Sequence, residues 1–200
     1  MTEPGLRERK KQDTRAALSA ATLELALEHG LGAVTVEQIA ARAGVSYRTF
    51  FNYFSGKEEA LLRPDGAGLL FAPRLQEQDP ALPPLEAARR ALGDHLAALD
   101  ADSEGWRLRL TVLAAAPEVL PRLVELGSAG EREMTEALAE RTGLDADRDV
   151  YPALLAAVLG CALRVSLTRW HATGEERPLA ALFDEVVDVL AAGLPAPRTD

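Results

Sequence analysis

The residues best suited to chemistry in this 200-residue chain are Tyr47, Arg48, Phe51 and Asn52. Their spacing puts them on one side of a short helix. An arginine bridges O6 and N7 of guanine, an asparagine pairs with N6 and N7 of adenine, and an exposed ring meets a thymine methyl. Thr49 and Tyr53 add hydroxyls, Thr35 a helix-capping hydroxyl and Lys57 a cation at a helix start. These types suit phosphate oxygens. Arg7, Arg9, Lys10 and Lys11 form a basic arm able to enter a minor groove or follow the phosphates. The set points to double-stranded DNA.

Such residues work only if local structure fixes them. Residues 14–29 carry Leu18, Ala21 and Leu25 at helical spacing, with Gly30 as the terminator. Thr35 and Gln38 make a capping box at the start of a short helix. Val36, Ile39, Ala40 and Ala43 form its inner face, and Gly44 ends it. Ser46 then caps a third helix, expected over 47–54, with Phe50 and Phe54 turned inward onto Ile39 and Val45. Two short helices joined through Gly44, Val45 and Ser46 have helix-turn-helix geometry. Ser55 and Glu58 make a second capping box, so a fourth helix starts near Lys57. Pro64 should break it near Arg63, with a second helical piece over about 65–78.

Residues 40–62 read AARAGVSYRTFFNYFSGKEEALL and resemble the TetR family of bacterial regulators. The resemblance rests on the Ala-Gly-Val-Ser turn, the Thr-Phe-Phe-x-Tyr-Phe recognition segment and the Lys-Glu-Glu helix start. Arg15, Gly30 and the Thr35 cap extend it. It implies a one-component transcription factor in which Thr35, Tyr47, Arg48, Thr49, Phe51, Asn52, Tyr53 and Lys57 lie at or near operator DNA. Two positions depart from the family: Ala26 stands where a phenylalanine is usual, and Pro64 interrupts the fourth helix. Residues 106–190 resemble C-terminal domains described as binding acyl-CoA-like ligands.

Beyond the proline-rich linker at 78–84, helices are expected over 85–99, 103–115, 117–142, 145–173 and 178–193. The expected fold is all-α with about nine helices. A three-helix DNA-binding domain occupies 1–62, and a helical ligand-binding and dimerisation domain occupies 63–200. The helix ending before Gly174 is apolar nearly all round, which predicts burial on every side. Its Leu155, Val158, Leu159 and Ala162, with the Leu182, Val186 and Leu190 stripe of the last helix, are expected to form a homodimer interface. An effector pocket is expected from His95, Leu96, Leu99, Trp106, Arg109, Leu110 and Leu113, with Arg109 or His95 anchoring an anionic group. Pro64, Gly66 and Gly68 would be the joint coupling pocket to operator.

Composition limits the alternatives. The net charge of −9 is unevenly spread: residues 1–57 hold eight Lys/Arg against six Asp/Glu, and 58–200 hold fourteen against twenty-five. Phosphate affinity follows the local cations. Cys161, the one cysteine, excludes an internal disulfide and a cysteine zinc cluster, and within an apolar run it reads as an inert buried thiol. The three histidines show no metal-type spacing, and no cofactor loop or enzyme signature is present. The N-terminus has no apolar signal region and the apolar run 153–163 is short for a bilayer, so a cytoplasmic protein without a membrane partner is expected. The reading is a ligand-released repressor, since covering a promoter requires no polymerase contact. The competing reading is a helical small-molecule-binding or catalytic protein that uses its first helices only for packing. It leaves outward Arg48 and Asn52 unexplained.

Overall fold

The computed structural model describes residues 6–62, 71–173 and 177–196. All regular structure among them is helical. In chain order the helices are α1 (Leu6–His29), α2 (Val36–Arg42), α3 (Tyr47–Phe50), α4 (Lys57–Leu62), α5 (Phe71–Glu77), α6 (Pro84–Asp100), α7 (Ser103–Ala114), α8 (Leu120–Thr142), α9 (Val150–Thr173) and α10 (Leu179–Ala191). Short 3-10 turns at Leu31–Ala33 and Pro117–Val119 precede α2 and α8. Pro64, Gly66 and Gly68 lie outside the described residues.

Several boundaries differ from the sequence expectation. α1 is already helical at Leu6, the first described residue, well before residue 14. The stretch between is made of strong helix formers, and the Thr14 hydroxyl donates back to the Lys10 carbonyl at 2.9 Å, as mid-helix threonines do. The basic arm is therefore the first part of a helix rather than a tail. α3 closes at Phe50 instead of reaching residue 54. Asn52 N–H donates to the Thr49 carbonyl and Tyr53 N–H to the Phe50 carbonyl, the tighter i→i−3 pattern of a helix end. The acids 145–149 form a turn before α9 rather than its first turn, with Asp145 N–H donating to the Asp149 carboxylate at 2.8 Å.

The chain divides into two compact units, Met1–Gly68 with Glu104–Gly127, and Leu69–Ser103 with Ser128–Asp200. The sequence boundary at 62/63 kept everything after α4 together. In the structure α7 and the first part of α8 belong with the N-terminal helices. The proline-rich stretch 78–84 is no free linker either. Arg141 of α8 donates to the carbonyls of Leu75, Asp79 and Leu82, which holds the α5–α6 connection within the second unit.

The first unit has two apolar clusters. Leu18, Ala21, Leu25, Val34, Ile39, Phe50, Phe54 and Ala60 make the floor beneath α3. Ala26, Leu31, Leu61, Val112, Ala116 and Val119 join α1 and α4 to α7. Ala26, the departure from the family pattern, is a fully used core position in this second cluster. Gly44 carries φ +69° in the turn between α2 and α3, a conformation any residue with a Cβ resists. In the second unit α10 packs on α6 and α9. The α10 start is capped from α6, because Asp100 accepts from the N–H groups of Leu179 and Ala180 at 2.7 and 3.2 Å. That satisfies donors Pro178 could not.

α9 corrects a further expectation. Val150–Ala172 is long and apolar enough to cross a membrane, although its packing on α10 makes it a core helix of the second unit. It is not buried all round: Val150 is 76% exposed and Leu154 56%.

Two stability measurements follow. Phe50 is fully buried under α3, so Phe50→Ala should cost about 3–5 kcal/mol in denaturant titration; a cost below about 1 kcal/mol would mean the floor lies elsewhere. The Lys57 ammonium donates to the carbonyls of Leu31, Gly32 and Val34 at 2.7, 3.2 and 2.9 Å. Lys57→Met should therefore destabilise the first unit by about 1.5–3 kcal/mol, and an unchanged denaturation midpoint would contradict this.

Candidate DNA interface

Local chemistry builds the interface in three steps. Thr35 caps α2: its hydroxyl accepts from Gln38 N–H at 3.3 Å, and the Gln38 side chain accepts from Thr35 N–H at 2.8 Å. Ser46 caps α3, accepting from Thr49 N–H at 3.1 Å. Its hydroxyl also lies 2.7 Å from that of Thr49. Phe50 and Phe54 then sink into the core, their centroids 5.8 Å apart, and the Arg15 guanidinium covers the Phe54 ring at 4.2 Å. With that face anchored, the opposite face has to look outward.

The outward face carries the residues expected there. Tyr47 is 51% exposed and Phe51 46%, and Arg48 and Asn52 are exposed beside them. The Tyr47 and Phe51 rings meet edge to face with centroids 5.0 Å apart. Two large rings left in water on a one-turn helix and the turn that ends it are costly unless something covers them. The structure thus brings Tyr47, Arg48, Phe51 and Asn52 together as one surface. Thr35 lies exposed at the α2 start, whereas Tyr53 is half-buried against the floor. Thr49 is half-buried, with its hydroxyl engaged by Ser46. All three Lys57 donors rest on carbonyls, so a phosphate contact there would compete with these bonds. Arg9, Lys10 and Lys11 lie exposed along the start of α1, and the side chain of Arg7 is outside the described set.

α1 and α2 are also locked by charge. Arg42 pairs with Glu24 and Glu28 at 3.2 Å each. Hydrogen bonding from Arg42 holds the Glu28 carboxyl below its ordinary range. Sequence inspection missed this clamp, although the arginine sits in the last turn of α2 with two glutamates a turn apart on α1.

The other predicted sites fare differently. His95, Leu96 and Leu99 belong to the second unit, where Leu96 is fully buried, while Trp106, Arg109, Leu110 and Leu113 belong to the first. Arg109 is 6% exposed and donates to the Leu61 carbonyl, the Gly105 carbonyl and the Ser19 hydroxyl at 3.0, 3.2 and 3.2 Å. Leu113 packs on the cluster joining α1, α4 and α7. Leu155, Leu159, Ala162 and Leu182 are buried in the protomer's own core, and Val158, Val186 and Leu190 are half-buried. The open side of α9 carries Val150, Leu154, Ala157 and Cys161. The expected buried thiol is therefore exposed, because α9 is covered on one side only.

Comparison with known proteins agrees with this geometry. Residues 18–63 match the family described as bacterial regulatory proteins, tetR family, and residues 82–195 match the MftR C-terminal domain. The HTH-type transcriptional regulator TcmR of Streptomyces glaucescens is 32% identical over 196 residues, covering 94% of this chain and 87% of its own. Among solved structures, the fatty acid degradation regulator FadR of Bacillus halodurans superposes with a TM-score of 0.57 at 22% identity, over 90% of this chain and 98% of its own. SmeT, solved with triclosan, gives 0.60 at 21% identity, over 94% and 99%. FadR of Thermus thermophilus, solved with lauroyl-CoA, gives 0.53 at 24% identity, over 92% and 97%. At these identities the structures speak for the fold. With one family domain spanning over half the chain and TcmR aligned along nearly all of it, the chain belongs to the TetR family of bacterial transcriptional regulators.

Proposed function

We propose that the protein binds its operator through the Tyr47, Arg48, Phe51 and Asn52 face of α3, as a homodimer, and that an anionic, partly apolar small molecule releases it. The carrying observation is that exposed face, held outward by a buried one. Arg48 reads a guanine, Asn52 an adenine, and the Tyr47 and Phe51 rings meet thymine methyls or sugar. Thr35 and the basic start of α1 supply phosphate contacts. The role is regulatory rather than enzymatic, and repression is the direct consequence of covering a promoter.

The dimer surface is the open side of α9. Val150, Leu154, Ala157 and Cys161 recur at alternating spacings of four and three, the seam of a helix pair. A two-fold operator needs a two-fold protein. For the effector, structures of the same fold were solved with lauroyl-CoA and with triclosan, molecules that each carry a large apolar part. With Arg109 engaged inside the first unit, a cation in the second suited to an anion is Arg74 of α5. Its Nη1 is buried and has no hydrogen-bond partner among the described residues. His95, Leu96 and Leu99 of α6 would line the apolar part. Operator release requires the effector to favour the DNA-incompetent geometry by about 1–3 kcal/mol.

Gel shifts on DNA flanking the coding region should show a complex whose log affinity falls steeply with log salt, by a slope of about 0.9 per phosphate neutralised. A flat salt response would remove the cationic face from the account. Arg48→Ala should relax base preference at one position per half-site, by about 1–3 kcal/mol; unaltered preference would take Arg48 out of the reading set. Leu154→Glu should yield monomers that keep their helicity, while Leu159→Glu should damage the protomer core. A dimeric Leu154→Glu protein would place the interface elsewhere.

A further inference from the structure

The DNA-binding unit contains a buried guanidinium that the reading surface does not use. Arg109 lies on α7 at 6% exposure. A cation so buried must have its donors satisfied to be tolerated, and the acceptors described for it come from three helices. Nε donates to the Leu61 carbonyl of α4 at 3.0 Å, Nη2 to the buried Ser19 hydroxyl of α1 at 3.2 Å, and Nη1 to the Gly105 carbonyl of α7 itself at 3.2 Å. The Trp106 ring lies 5.6 Å from the guanidinium carbon.

Within the described residues, α4 lies between two apolar clusters. Its successive residues Ala60 and Leu61 are both fully buried but belong to different clusters. Ala60 packs into the floor under Phe50 and Phe54. Leu61 packs with Val112, Ala116 and Val119. Any shift of α4 relative to α7 therefore moves the floor of the reading helix. The start of α4 is held by α8: Arg122 donates to the Ser55 hydroxyl at 2.6 Å, and Ser55 donates through N–H and hydroxyl to Glu59 at 2.8 and 2.6 Å. Glu125 holds Arg122 in its charged form.

We propose that Arg109 is a positioning residue for operator binding: it fixes α4 against α7 and α1 and so sets the presentation of α3 without touching DNA. This goes beyond the assignment of the reading face and rests on it.

The test uses the full-length protein and a labelled duplex carrying its footprinted operator. Wild-type binding is read first, so a failure of the DNA-binding reading shows as no complex at all. Arg109→Gln should bind about tenfold or more weakly at temperatures where its melting curve shows it fully folded. The slope of log affinity against log salt should match the wild type, because no phosphate contact is lost. Arg109→Lys should recover part of the affinity by keeping the charge and a donor. A folded Arg109→Gln protein within twofold of wild type overturns the proposal, as does a salt slope lowered by about one, the mark of a direct phosphate contact. If Arg109→Gln does not fold, Ser19→Ala decides: it removes one acceptor and should weaken operator binding by about threefold or more, and unchanged binding overturns the proposal.

Discussion

Short helices leave most of their end carbonyls and N–H groups without partners, and this protein satisfies them with charged side chains from elsewhere in the chain. Lys57 gathers the carbonyls that lead into α2. Arg109 takes the Leu61 carbonyl of α4. Arg141 collects three carbonyls between α5 and α6, and Asp100 caps α10. Each bond joins a charged group to a backbone dipole, the stronger class of hydrogen bond. Each also fixes the relative placement of two or more helices within its own unit. The reading face of α3 depends on the first two.

That dependence explains how four exposed residues become a surface with a defined shape. α3 has a single turn, too little to be stable alone. Ser46 caps its start, Phe50 and Phe54 pin its inner side, and α4 keeps the floor beneath them in place. Tyr47, Arg48, Phe51 and Asn52 are outward because those neighbours leave no other direction. The same reasoning separates surface cations by role. Arg48 and the basic start of α1 face outward, whereas Arg42, Lys57 and Arg109 hold helices together.

Features set by local chemistry were legible in the sequence. Thr35 with Gln38, Ser46, Gly44 and the Phe50/Phe54 pair lie within a few residues of what they organise, so caps, turn and inward face could be read directly. Roles set by distant partners could not. Lys57 reads as a phosphate contact until its carbonyls, some twenty-five residues earlier in the chain, are brought beside it. Arg109 reads as a ligand anchor because its acceptor on α4 is 48 residues away. α9 shows the same limit: its uniform apolar composition gives no periodicity to say which side is covered. Leu155 and Leu159 fell inward and Val150 and Leu154 outward, one residue from the expected register. The tight end of α3 and the early start of α1 were misjudged for a lesser reason, since helix ends respond to hydrogen bonding that residue types only weakly encode.

The central claim is that a two-fold protein presents two copies of the α3 face to one side of a duplex. A hydroxyl-radical footprint on the DNA flanking the coding region tests it most directly. The account predicts two symmetry-related protected half-sites on one face of the duplex, with centres a whole number of helical turns apart, each turn being about 34–36 Å. A single protected half-site, or uniform protection independent of sequence, would contradict it.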